Sequence, residues 1–215
     1  MIRSVMSRRP ARGGTPDALV VMLHGLGANG ADLMGLAPYL EDAAPGAEFL
    51  APDAHEPCDM APMGFQWFSL LDRRMEVMAP AAAAASPVVN QFLDEELAKR
   101  GLPPERLVLL GFSQGTMMSL QVALRRPQAI GGVIGFSGAL METPSFDADV
   151  TARPPVLLIH GTDDGIVPFG AMAKAEGTLK RVGVEVGCVT CPGVGHSIDD
   201  RGLAAAEAFL SRVLG

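Results

Sequence analysis

The chain has 215 residues, 48% of them hydrophobic and 19% charged, with a formal net charge of −7. That acidic balance argues against nucleic acid or an anionic membrane surface as the main partner, and no apolar run is long enough to cross a bilayer. The length predicts one domain over 1–215, able to bury roughly 70% of its unfolded surface.

Arg3, Arg8, Arg9 and Arg12 make the first dozen residues basic, and no apolar stretch of the kind a signal peptide needs follows them. Residues 1–16 are therefore expected to be a loosely ordered segment or an edge strand, and the protein to be cytoplasmic. Three cysteines agree with that compartment, because a secreted scaffold would carry a denser, even set. A first strand is expected at Ala18–Leu23, leading into the glycine-rich His24-Gly25-Leu26-Gly27-Ala28-Asn29-Gly30. A helix over Ala31–Asp42 and a strand over Ala47–Ala51 follow. Pro52 to Met78 shows no clear element and holds the only tryptophan. Long irregular stretches often line sites, and flexible methionines suit varied apolar ligands. Met63, Trp67 and Phe68 are thus candidates for a substrate pocket; alternatively Trp67 and Phe68 plug this segment into the core.

Farther along, the pattern predicts helices at Ala79–Arg100, Ser113–Arg125, Phe169–Val182 and Leu203–Val213. Strands are expected at Arg106–Leu110, Gly132–Gly135, Val156–Ile159 and Val184–Val189. Short, nearly continuous apolar strands alternating with helices mean βαβ units in a mostly parallel, doubly wound α/β sheet. Cys188 and Cys191 form a C-x-x-C in the last strand. Three positions apart on a strand, their side chains point to opposite faces, so a structural role fits them.

Gly111-Phe112-Ser113-Gln114-Gly115 is a G-x-S-x-G turn between a strand and a nearly all-apolar helix that stops at Arg126-Pro127. A sharp turn of this kind exposes a serine hydroxyl, and its crowded backbone favours glycine two residues before and two after. Gly135-Phe136-Ser137-Gly138 imitates it without the second glycine spacing or a following helix, so Ser137 is read as structural. Ser113 needs a base, and there are four histidines. His24 and His160 end strands and are followed at once by glycine, which fits backbone-organising roles. His55 lies in the irregular stretch. His196 follows the last strand on a glycine-rich turn, at the end of the sheet where reacting groups collect. The acid is expected after the strand Val156–Ile159, where spacing alone leaves Asp163 and Asp164 open. The order Ser, Asp, His is that of the nucleophile-elbow hydrolases.

A negative tetrahedral intermediate needs N–H donors. Gln114, just after the serine, supplies one, and Leu26 on the first glycine-rich loop is the second by position. Gly25-x-Gly27-x-x-Gly30 also reads literally as G-x-G-x-x-G, with Asp53 the nearest downstream acid. A nucleotide reading leaves Ser113, Asp164 and His196 without a purpose.

Together Leu23-His24-Gly25-Leu26-Gly27-Ala28-Asn29-Gly30, Gly111-Phe112-Ser113-Gln114-Gly115, His160-Gly161-Thr162-Asp163-Asp164-Gly165-Ile166-Val167-Pro168 and Gly195-His196-Ser197 resemble the phospholipase/carboxylesterase group of α/β-hydrolases, which includes acyl-protein thioesterases and small bacterial carboxylesterases. The resemblance covers the chain from about Pro16 to the last helix. It implies an α/β-hydrolase fold without a large cap, places the acid at Asp164, supports Leu26 and Gln114 as oxyanion donors, and assigns Gln66-Trp67-Phe68 to lining or supporting an acyl pocket. Thr116 departs from it, since relatives often carry glycine or another small residue there.

The activity so implied is hydrolysis of small carboxylic esters or thioesters of short to medium acyl chain by Ser113, His196 and Asp164, with no metal or cofactor. A thioesterase or lysophospholipase for longer chains, an acyltransferase and a non-catalytic binding protein are the alternatives. The resemblance also allows a homodimer.

Overall fold

The structure, a computed structural model, describes residues 1–215. Its elements in chain order are β1 (Val5–Arg8), β2 (Ala18–Leu23), α1 (Gly30–Met34), α2 (Ala37–Leu40), β3 (Ala47–Pro52), β4 (Glu56–Pro57), β5 (Phe65–Gln66), α3 (Met75–Arg100), β6 (Leu107–Phe112), α4 (Gln114–Ala123), β7 (Gly132–Phe136), α5 (Phe146–Asp149), β8 (Val156–Gly161), α6 (Gly170–Arg181), β9 (Val186–Cys191) and α7 (Asp200–Leu214). Seven strands form one sheet in the order β1-β3-β2-β6-β7-β8-β9. All neighbours are parallel except β1, which pairs antiparallel with β3 along the edge, Val5 opposite Pro52. The basic amino-terminal segment thus contributes an edge strand.

Both faces of the sheet are covered, which is why its strands are apolar without a break. In β2 every residue is buried, yet Leu19, Val21 and Leu23 enter one core while Ala18, Val20 and Met22 enter the other. The larger core is closed by α3, α4 and α6 through Val89, Leu93, Met118, Leu120 and Leu179. The smaller is closed by α1, α2 and α7 through Leu33, Leu40, Phe209 and Leu210. Cys188 packs against the first core and Cys191 lies inside the second, so the two thiols sit on opposite faces of β9. No inserted cap domain covers the sheet.

Several boundaries differ from the sequence reading, each for a local reason. The helix expected over Ala31–Asp42 is broken in two, with Gly35 ending α1 and Pro38 in the first turn of α2. A proline ring cannot sit inside a helix without clashing with the carbonyl four residues back. Helix α3 begins at Met75, four residues early, and carries Pro80 and Pro87 internally. Met75 and Met78 pack against the core, and that burial offsets the two missing N–H donors. Strand β9 starts two residues late because Val184 donates its N–H to Leu179, closing α6 after Gly183 turns the chain at φ 79°. The stretch after Pro52 contains a small hairpin, β4 with β5, Glu56 opposite Gln66.

The topology sets the site. From β2 the chain goes outward to β3 and then returns past β2 to β6, so the loops leaving β2 and β6 diverge at the carboxyl edge of the sheet. That divergence is where doubly wound sheets open a crevice.

Candidate active site

Ser113 sits between β6 and α4 with φ 54° and ψ −115°, outside the helical region and in a conformation that side chains rarely adopt. The helix therefore begins at Gln114 rather than at the serine. Its N–H donates to Phe136 O on β7 at 2.9 Å, which fixes the turn to the neighbouring strand. The two glycines are demanded by space: a Cβ on Gly115 would overlap the Leu23 carbonyl oxygen, and one on Gly111 would meet the Thr116 and Gly115 backbone. Thr116 fits without disturbance. Its hydroxyl donates to Gly111 O and Phe136 O, both at 2.8 Å, and its methyl fills the room left by Gly135 and Gly138. Ser137 also has a positive φ, 48°, but is buried at the end of β7 and is not on the wall of the cavity that Ser113 lines.

His196, on the loop after β9, is held from two sides. Its Nδ1–H donates to Asp164 Oδ2 at 2.8 Å, and the Phe112 ring packs against it with centroids 4.9 Å apart. The adjacent aspartates are thereby distinguished. Asp164 is buried after β8, while Asp163 is exposed and accepts from Thr162 Oγ1. Burial by itself would raise the Asp164 pKa. The His196 hydrogen bond and the Val167 and Ile166 N–H groups on Oδ1, at 2.9 and 2.8 Å, outweigh it and hold the carboxyl below its ordinary range. His160 Nε2 lies 2.9 Å from Val167 O and 3.2 Å from Asp164 Oδ2, so this buried ring braces the same turn.

The loop leaving β2 carries Leu26. Its N–H has no acceptor within the protein, and the Gln114 N–H is the first of α4, one of the helix donors without an intrahelical partner. Three attachments hold this loop. Gly27 N–H donates to Phe65 O and Phe65 N–H to Ala28 O, each at 2.9 Å, pinning it to the hairpin. His24 donates from Nδ1 to Gly25 O and accepts the Ala54 N–H at Nε2, 3.0 Å. Gly30 N–H donates to Asp53 Oδ1, and a Cβ at Gly30 would overlap Ala51 O. The three glycines of the G-x-G-x-x-G string thus serve close packing and a turn at φ 75°, and Asp53 is engaged by the loop's own backbone.

A cavity of about 380 Å³ opens at this edge of the sheet. Ser113, His196 and Leu26 lie on its wall with Gly25, Ala28, Phe112, Leu70, Arg73, Met78, Met117, Ala139, Ile166, Val167, Pro168 and Ala171. The expected pocket residues Met63, Trp67 and Phe68 are not among them, which corrects that expectation. Trp67 is fully buried behind the site, its indole N–H donating to His24 O at 2.9 Å. The Gln114 side chain clamps this segment, accepting the Trp67 N–H and donating to Phe68 O. Met63 points outward, 79% exposed. Burying Trp67 both removes a large apolar surface from water and satisfies its single donor, so the indole becomes a support for the Leu26 loop. Sequence reasoning missed Leu70, Met117 and Ile166, while Met78 lay among the methionines it had set against an apolar pocket. Met117 was in reach, one helical turn after Ser113, and Ile166-Val167-Pro168 lay within a motif already singled out; Leu70 carried no local signal.

A parallel sheet with a strained serine at a strand–helix turn, facing a cavity shared with a histidine paired to a buried aspartate, defines an α/β-hydrolase. Residues 10–214 match the phospholipase/carboxylesterase family. The chain is 31% identical over 206 residues to the carboxylesterase SOBER1 of Arabidopsis thaliana, covering 91% of this chain and 90% of that one. It is 39% identical over 119 residues to acyl-protein thioesterase 1 of Gibberella zeae, which spans 53% of this chain and 51% of the relative. Among solved structures, esterase PE8 superposes with a TM-score of 0.93 at 37% identity, covering 98% of this chain and 99% of its own. The chain belongs to the phospholipase/carboxylesterase family and is a serine-hydrolase type of esterase, acting on ester or thioester bonds.

Proposed function

We propose that the protein hydrolyses carboxylic esters of short to medium acyl chain through an acyl-enzyme on Ser113. The observation that carries this reading is the convergence of Ser113, Leu26 and His196, the last paired to Asp164, on one small apolar cavity. In the first half-reaction Ser113 Oγ attacks the acyl carbonyl while His196 takes its proton. Asp164 holds the imidazole with Nδ1–H toward itself, leaving Nε2 free to accept, and steadies the imidazolium that forms. Leu26 and Gln114 donate to the developing oxyanion, each such donor lowering the barrier by about 3–4 kcal/mol. Collapse expels the alcohol or thiol with the proton from His196, and water attacks the acyl-serine by the same route to release the acid. No metal or cofactor enters the cycle.

A volume near the lower end for ligand sites supports a small acyl group. A thioester or a longer acyl chain uses the same chemistry, and the oxyester reading rests on that volume. A reducing, cytoplasmic location is part of the proposal, supported by three free cysteines. Ser113→Ala is expected to lower kcat/KM on p-nitrophenyl butyrate by at least about 10⁴-fold with an unchanged thermal midpoint. Activity within tenfold of the parent would overturn the mechanism. Matched oxyesters and thioesters from C2 to C16 then measure the chain preference.

A further inference from the structure

Among the residues on the cavity wall, Arg73 alone carries a full charge. Most of the other lining residues are apolar, Leu70, Met78 and Ile166 among them, and Arg73 itself is exposed. Arg73 makes no ion pair and no hydrogen bond within the protein, although carboxylates stand beside it in the sequence. The next residue takes them both: Arg74 grips Asp72 with contacts of 2.6 to 3.0 Å and lies 3.6 Å from Glu76. Two adjacent arginines are thus used differently. One neutralises the local acids and ties down the start of α3; the other has no protein partner and lies, exposed, on the wall of the cavity that holds Ser113 and His196.

The chain as a whole carries a net charge of −7 and repels anions at a distance. Arg73 is exposed at the mouth of this cavity, so its charge is strong only locally, and its planar fork suits a carboxylate or phosphate. The cavity is small, so a group reaching Arg73 and a carbonyl reaching Ser113 belong to one small molecule. We infer that Arg73 determines specificity, selecting esters or thioesters that carry an anionic group, a carboxylate or a phosphate, besides the bond that is cleaved. The inference rests on Ser113 being the nucleophile. It adds a substrate class: compact apolar esters with one negative end, the ester bond at Ser113 and the anion against the guanidinium.

The test compares the parent enzyme, Arg73→Gln and Arg73→Lys on four esters. These are neutral p-nitrophenyl butyrate, the p-nitrophenyl monoester of glutaric acid with its carboxylate on the acyl side, and the butyryl esters of 4-hydroxybenzoate and 4-hydroxyphenyl phosphate with the anion on the alcohol side. The expected result is that the ratio of anionic to neutral kcat/KM falls about tenfold in Arg73→Gln for at least one anionic ester. The loss is expected in KM, with partial recovery in Arg73→Lys and a preference that shrinks as salt is raised. Which anionic ester responds tells where along the substrate the charge lies. A ratio unchanged in Arg73→Gln for all three, or a neutral ester that loses as much as they do, overturns the inference. Turnover of the neutral ester by the parent but not by Ser113→Ala tests the nucleophile separately, so the two readings fail independently.

Discussion

Thr116 shows how much one side chain contributes at the elbow. Its hydroxyl bonds two carbonyls, Gly111 O and Phe136 O, and its methyl occupies space that only Gly135 and Gly138 leave open. Thr116→Val keeps the shape and removes the donor, and is expected to cost about 1–2 kcal/mol. Thr116→Gly removes the methyl as well and is expected to cost more, because the small cavity left behind lies against the rigid backbone of β6 and β7. Urea midpoints for the pair check this; equal stability of both variants would mean that the methyl contributes nothing. The hydroxyl's partners were not legible beforehand. They lie 5 and 20 residues away along the chain, and a threonine on an apolar helix face gives no sign of which carbonyls it will meet.

Elements set the loop that carries Leu26, the proposed oxyanion donor. Gly64, just before β5 in the small hairpin, has φ 82°, and a Cβ there would overlap Gly27 O. Through Phe65 and its two hydrogen bonds to Gly27 and Ala28, the hairpin holds the backbone that carries the Leu26 N–H. Gly64→Ala is therefore expected to push the Leu26 loop away from Ser113 and lower kcat by about 10²-fold, as loss of one oxyanion donor does, while KM changes little. Steady-state kinetics on p-nitrophenyl butyrate read this, and a change confined to KM would place the hairpin in binding instead. The segment from Pro52 to Met78 looked irregular in the sequence because two-residue strands leave no periodicity. Its Trp67 drew notice as a pocket residue, yet the surrounding backbone turns it inward onto His24.

At the scale of the whole molecule, His24 joins the two halves of this support. Burial, the largest influence, pushes its pKa below the ordinary 6.5, against the bond to Gly25 and the fields of Asp53 and Asp32. A protonated ring would also present a donor to the Ala54 N–H. Because the folded value is lower than the unfolded one, the stability that neutral His24 supplies is present above pH 6.5 and is lost progressively as pH falls from there through the folded value. The Asp164 carboxyl, also lowered, loses its contribution only further down, below its ordinary 3.8. Stability is thus expected to begin falling in mild acid, between about pH 7 and 5, before any carboxylate titrates. Urea unfolding across that range checks it, and a His24→Asn variant with an equally steep loss would assign the effect elsewhere.

From its own residues the chain determined the alternation of strands and helices, the glycine-framed Ser113, and the order in which Ser113, an aspartate and His196 follow one another, since propensity, apolar period and turn sterics act over a few neighbours. Motif resemblance narrowed the aspartate to Asp164. Only the tertiary structure brought β2, β6, β8 and β9 to one edge so that Leu26, Ser113, Asp164 and His196 meet. It alone turned Trp67 into the core and Arg73 onto the cavity wall. Those placements depend on contacts between residues tens of positions apart, where shape and burial over the whole sheet decide, and no local pattern records them.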